Sequence, residues 1–145
     1  KQLKNAVRLI RACSVSGCFW SLENPESSFV WQVPELTAVA DEQKVYKITF
    51  DQCMYLLRPP DSELPENKHR DLRTRKRTTL LSNCHSLTSL ESRCDKQHEH
   101  VEALGSCSIS GRAVRRSAAA GVYPKALCRR WASLMVQCCD GCVKP

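Results

Sequence analysis

Three short runs of this chain, at 18–22, 45–50 and 77–82, read as strands, and each stops abruptly at a polar cluster. The clusters are Glu23-Asn24-Pro25, Asp51-Gln52-Cys53 and Asn83-Cys84-His85. Strands that end this way, with helices between them, are how open α/β sheets gather polar groups at their carboxyl ends. The pattern predicts an α/β fold: a small, mostly parallel sheet of three to four strands flanked by helices, forming an incomplete domain.

Between the strands the helical period takes over. Residues 2–14 place Leu3, Ala6, Val7, Ile10 and Cys13 on one face and Lys4, Arg8 and Arg11 on the other. Pro34 starts a second helix to about residue 41, and Pro124 a last one to about residue 138. A fourth strand is expected at 99–104, a turn at 105–111 and a helix at 112–120. Residues 58–75 hold three of the 7 prolines and no apolar period, so they read as a mobile basic loop. The loop interrupts one α/β domain spanning 1–137, and 138–145 reads as a Cys-rich tail.

The 145 residues suffice for one modest core, and a 42% hydrophobic content argues against wholesale disorder. No apolar stretch approaches the roughly 20 residues that a membrane span needs, so no membrane partner is expected. The formal charge of +7 is unevenly spread. Residues 23–67 hold nine acids against three bases, whereas KHRDLRTRKR at 68–77 packs six bases around one acid. Lys68, Arg70, Arg73, Arg75, Lys76 and Arg77 are therefore candidate phosphate contacts for a nucleic acid, DNA ahead of RNA. A solvated basic surface is the alternative.

The 10 cysteines form an even number that could pair. With no secretory signal read in 1–13, most are expected to be reduced core thiols of an intracellular protein, with the nucleus suggested by nucleic-acid association. The chain does not open with Met, so missing N-terminal sequence or a partner chain is expected to complete the sheet.

Glu23, Asn24, Asp51 and Gln52 are the candidate catalytic residues: neighbouring strands would bring them to one crevice, where a carboxylate can hold a base edge or move a proton. The plainer reading is that strand ends are polar because turns are. Cys53 has the type of a nucleophile but no cationic neighbour or elbow, which favours a core thiol. Cys94-x3-His98-x-His100 offers three zinc-type ligands within seven residues, and Cys138, Cys139 or Cys142 a fourth. Paired Cys-x2-Cys spacings are absent except at 139–142, so a surface His pair is preferred and no metal is assigned. There is no glycine-rich phosphate loop, GxSxG or HExxH, hence no cofactor cradle.

Several blocks occur in order: Glu23-Asn24-Pro25-x-x-Ser28-x-x-Trp31, Phe50-Asp51-Gln52-Cys53-Met54-Tyr55, Lys76-Arg77-Thr78-Thr79-Leu80-Leu81-Ser82-Asn83, Cys94-x3-His98-x-His100 and Tyr123-Pro124-x-x-Leu127-Cys128-x-x-Trp131. Together they resemble an uncharacterised domain of protist and algal reading frames associated with mobile elements, which carries no established activity. The first block is also distantly similar to the Glu-Asn-Val motif of DNA cytosine methyltransferases, a Rossmann-like family that uses S-adenosylmethionine. That resemblance implies a base contact for Glu23 and a base- or backbone-binding role for Arg77. The family's glycine-rich loop and Pro-Cys nucleophile precede its Glu-Asn motif, and neither occurs in residues 1–22. S-adenosylmethionine is thus implied only with an upstream half, and no cofactor is expected in this chain. The function expected is a nucleic-acid-associated, methyltransferase-like domain of a mobile element, catalytically incomplete here. The alternative is a non-catalytic interaction module or a decayed fragment.

Overall fold

The helical period of the first residues is realised as α1 (Gln2–Val15), which buries Val7 and Ile10. In the computed structural model, which describes residues 2–142 and side chains as far as Cys139, the elements that follow mix strand and helix. They are β1 (Ser21–Pro25), α2 (Pro34–Glu42), β2 (Tyr46–Asp51), β3 (Leu72–Arg75), β4 (Arg77–Ser82), β5 (Glu99–Glu102), β6 (Ser106–Ile109), β7 (Arg112–Arg115), α3 (Arg116–Ala119) and α4 (Lys125–Cys142). Short 3-10 turns lie at Phe29–Gln32, Gln52–Tyr55, Pro60–Glu63, Pro65–Asn67 and His85–Leu90. No described helix is long and apolar enough to cross a membrane.

The chain divides into two compact units where the sequence suggests one domain. Unit 1 holds the residues up to Thr49, Thr78–Glu91 and those from Trp131; unit 2 holds Phe50–Arg77 and Ser92–Arg130.

Unit 1 is organised by apolar burial. Val7, Ile10, Trp20, Leu36, Val39 and Leu81 form one cluster, each such side chain contributing about 1.5–3 kcal/mol. Pro34 and Glu35 suit the first turn of α2, the ring presetting φ and the carboxylate complementing the helix dipole. Trp20 keeps its polar handle satisfied by donating Nε1–H to Ser14 Oγ at 2.9 Å. The sheet order is β1-β4-β2, with β4 central and its residues from Thr78 to Ser82 all buried. A disulfide joins Cys84 to Cys138, whereas Cys13, Cys18, Cys53, Cys94, Cys107, Cys128 and Cys139 are free thiols.

β1 runs antiparallel to β4, from Ser21 opposite Ser82 to Pro25 opposite Thr78, where a mostly parallel sheet was expected. The cause is a polar clamp. Asn83 accepts from Trp20 N–H at 2.9 Å and donates to Cys18 O at 3.1 Å, and Ser82 Oγ donates to Trp20 O at 2.5 Å. These bonds fasten the end of β4 to the start of β1, so the strands must run in opposite directions.

Unit 2 contains the parallel pair, β3 with β5, in register from Leu72 opposite Glu99 to Arg75 opposite Glu102. The antiparallel hairpin β6–β7 replaces the expected turn and much of the expected helix at 112–120. Its tip uses Ser110 and Gly111, both at positive φ (50° and 75°), as a two-residue hairpin turn requires. Residues 58–75 carry short turns and specific bonds. Pro60 and Pro65 each open a 3-10 turn. Arg116 grips the Asp61 carboxylate through Nη2 at 2.6 Å and Nε at 2.8 Å. Thr74 N–H donates to Leu57 O at 2.7 Å. The expected Cys-rich tail continues α4 as far as Cys142; 143–145 and the Cys142 side chain lie outside the described residues.

Candidate functional site

The expected catalytic residues fall in different units: Glu23 and Asn24 in unit 1, Asp51 and Gln52 in unit 2. Glu23 and Asn24 lie within β1, half-buried, and antiparallel pairing places them at the other end of β1 from Asn83. The residues after them close a turn. Pro25 O accepts from Ser28 N–H at 2.9 Å and from Trp31 Nε1–H at 2.9 Å. Ser28 Oγ donates to Asn24 Oδ1 at 3.4 Å and accepts from Val30 N–H at 3.3 Å. The Glu-Asn-Pro-x-x-Ser-x-x-Trp spacing thus has a local structural use, capping the 3-10 turn that follows β1.

Asp51 is enclosed, its side chain 8% exposed. Its carboxylate accepts from Arg77 Nε at 2.7 Å, from Arg77 Nη2 at 3.1 Å and from Cys94 N–H at 2.9 Å. Burial pushes the carboxyl up, but the Arg77 fork and the Cys94 N–H outweigh it and hold the group below its ordinary range. Gln52 is fully buried, and its N–H donates to Lys76 O at 2.9 Å.

Five of the six basic residues expected to bind phosphate have partners inside unit 2. Arg70 donates Nε–H to Glu99 at 3.1 Å, and Arg73 binds Asp71 through Nε at 3.0 Å and Nη2 at 2.6 Å. Arg75 lies 3.6 Å from Glu102, a loose and exposed pair. Lys76 donates to Ala120 O at 3.1 Å and sits 5.2 Å from the Tyr123 ring centre; Arg77 holds Asp51. Lys68 is exposed, and its side chain has no partner among the described residues. The excess charge sits on other side chains as well. Lys96, Arg112, Arg115, Lys125 and Arg129 are exposed. Unit 2 holds fifteen Lys and Arg against eight Asp and Glu, and unit 1 seven against seven, so the whole net charge of +7 belongs to unit 2.

A second constellation in unit 2 involves sulfur and imidazole. One donor atom from each of Cys53, Cys94, His98 and His100 lies within 4.8 Å of every other. Cys94 Sγ is 3.5 Å from His98 Nε2 and 3.4 Å from His100 Nε2, and the two Nε2 atoms are 3.0 Å apart. Cys53 comes from the 3-10 turn that follows β2, Cys94 from the segment leading to β5, His98 from the position just before β5 and His100 from β5 itself. The His98 and His100 rings lie on the same side, their centroids 4.7 Å apart and edge to face. Burial, then the neighbouring Cys94, push the Cys53 thiol up to about 12. Burial, then Arg73 and His100, lower the His98 pKa and favour the neutral ring.

The sequence shows three of these donors and points to the carboxyl end for the fourth. Cys138 is instead bonded to Cys84. The partner is Cys53, some forty residues before Cys94, and only tertiary structure brings it near. No family model matches the chain, and neither a curated protein nor a solved structure was found to be similar to it.

Proposed function

We propose that this protein is a nucleic-acid-associated interaction module in which unit 2 binds the polyanion. The observation that carries the reading is the charge difference between the units: +7 on one and zero on the other. Ion pairing within unit 2 leaves Lys68, Lys96, Arg112, Arg115 and Lys125 exposed as the cations to contact phosphates. Arg70, Arg73 and Arg77 instead shape the surface that carries them. An intracellular, nuclear place of action goes with this reading.

A methyltransferase-like role on a Rossmann-like sheet, in a mobile-element protein, rests on the sequence resemblance. The interaction module is favoured over it because the Asp51 carboxylate is already engaged by Arg77 and the Cys94 N–H. Heat released on titrating the chain with S-adenosylmethionine would turn the preference round.

The test is fluorescence anisotropy with duplex DNA and single-stranded RNA over a range of salt. Replacing Lys68, Lys96, Arg112, Arg115 and Lys125 together with Ala should weaken binding and reduce the log–log salt slope by about 0.7–0.9 for each phosphate no longer neutralised. Absence of binding at about 50 mM salt, or a slope unchanged by the substitutions, would overturn the assignment.

A further inference from the structure

We infer that Cys53, Cys94, His98 and His100 form a structural zinc site that ties together the segments of unit 2, an inference that does not depend on polyanion binding. A tetrahedral ion with Zn–N near 2.0–2.1 Å and Zn–S near 2.3 Å sets its donors about 3.3 to 3.8 Å apart. The distances of 3.0, 3.4 and 3.5 Å among Cys94, His98 and His100 fall close to this spacing. Cys53 offers a fourth donor from the buried side, itself 1% exposed and within 4.8 Å of each of the other three.

The surroundings hold several of the donors in place. Asp95 Oδ1 lies 3.5 Å from Nδ1 of His98, whose side chain is 1% exposed. Nδ1 has no hydrogen-bond partner among the described residues, so this carboxylate acts on the ring by its charge alone, favouring a proton on Nδ1 and leaving Nε2 facing the cluster. Asp51 fixes Cys94 through its N–H, and Arg73 fixes Cys53 by donating Nη1–H to Cys53 O at 2.9 Å. Lys96 N–H reaches Cys94 Sγ at 3.3 Å. It does so from a left-handed backbone, φ 61°, that a lysine adopts only when something around it compensates.

A simple hydrogen-bonded His98–His100 pair accounts for one of these contacts. It does not account for two sulfur atoms converging on the same point. Two thiolates and two neutral imidazoles cancel the charge of a dication, so the half-buried centre adds no net charge to unit 2. The S2N2 set selects zinc over magnesium or calcium, and a spread of 4.8 Å has room for one ion rather than a cluster. Four protein ligands close the shell, so the ion holds the fold and presents no open position for catalysis.

The experiment is metal analysis and cobalt substitution on the full chain, without nucleic acid, so that its outcome is separate from that of the binding test. One zinc per chain is expected after purification. Co²⁺ exchanged into the site should show the intense visible bands of a tetrahedral ion together with a thiolate-to-cobalt charge-transfer band. His100→Ala removes the exposed ligand with least damage to packing and should weaken metal binding by at least about tenfold while keeping the thiolate band. Cys18→Ser, at a free exposed thiol of unit 1, should leave stoichiometry and spectrum unaltered. Should the His100 variant fail to fold, cobalt titrated into stripped wild-type chain decides the matter from the spectrum alone. Metal below about a tenth of an equivalent with no tetrahedral cobalt spectrum, or a folded His100→Ala chain that binds as tightly as the parent, overturns the site.

Discussion

The two units hold themselves together by different means. Unit 1 has no net charge; it buries Val7, Ile10, Trp20, Leu36, Val39 and Leu81 against one another, and its buried polar residues are the hydroxyl-bearing Thr78, Thr79 and Ser82. A disulfide, Cys84–Cys138, adds a covalent tie. Unit 2 carries all of the excess charge and buries fewer large apolar side chains, mainly Phe50, Leu57, Leu72 and Leu127. It encloses Asp51 and Asp61 with arginine forks and gathers four metal-type donors. Apolar burial is non-directional and indifferent to pH. Carboxylate–guanidinium bonds and metal ligation are directional and sensitive to protons. The units should therefore fail under different conditions.

Metal removal should separate them most. Treatment with a strong chelator is expected to abolish amide-exchange protection across 50–77 and 92–102 while leaving α1, α2 and β4 protected. Equal loss in both units would erase the distinction. Next in size, Leu36→Ala should destabilise unit 1 by about 2–5 kcal/mol in urea unfolding, because a side chain 2% exposed is deleted from a packed cluster. The cobalt spectrum of that variant should equal the parent's. Asp51→Asn should cost about 1–3 kcal/mol, a charged acceptor having been taken from Arg77 and from the Cys94 N–H.

The same carboxylates set the acid response. Asp51 and Asp61 are held below the ordinary range, Asp61 chiefly by the Arg116 fork against the opposing effect of burial. A depressed folded-state pKa gives stability that is complete above the unfolded value, about 3.9, and is lost as pH falls through the lower folded value. Unit 2 should accordingly loosen below about pH 4 before unit 1 does, and Asp51→Asn should flatten that dependence. Exchange-protection profiles that fall together would count against it.

Much of the local structure is legible in the chain. The apolar face of α1, the proline that opens α2, the alternation of β2 and the limits of β4 each leave a periodic or capping signature. The β6–β7 hairpin reads as turn and helix although its own signal is present: Ser110-Gly111 stands between short alternating runs, the pattern of a two-residue turn. β3 is hidden because Leu72-Arg73-Thr74-Arg75 reads as charge rather than as strand, and only the pairing with β5 shows Leu72 and Thr74 facing inward. The basic block is visible, but not that most of it is paired with Glu99, Asp71, Glu102 and Asp51.

By itself the sequence determined where α1, α2, β2, β4 and α4 lie, which of their faces are apolar and how many cations and thiols the chain carries, because these follow from neighbours a few residues apart. Only tertiary structure decided that β1 opposes β4, that the excess charge belongs to one unit and that Cys53 joins Cys94, His98 and His100. Each of those depends on bonds between residues tens of positions apart, such as Asn83 with Trp20 and Asp51 with Cys94. Such bonds leave no periodic trace in the chain, since a single directional contact needs one suitable side chain at each end and nothing regular between them.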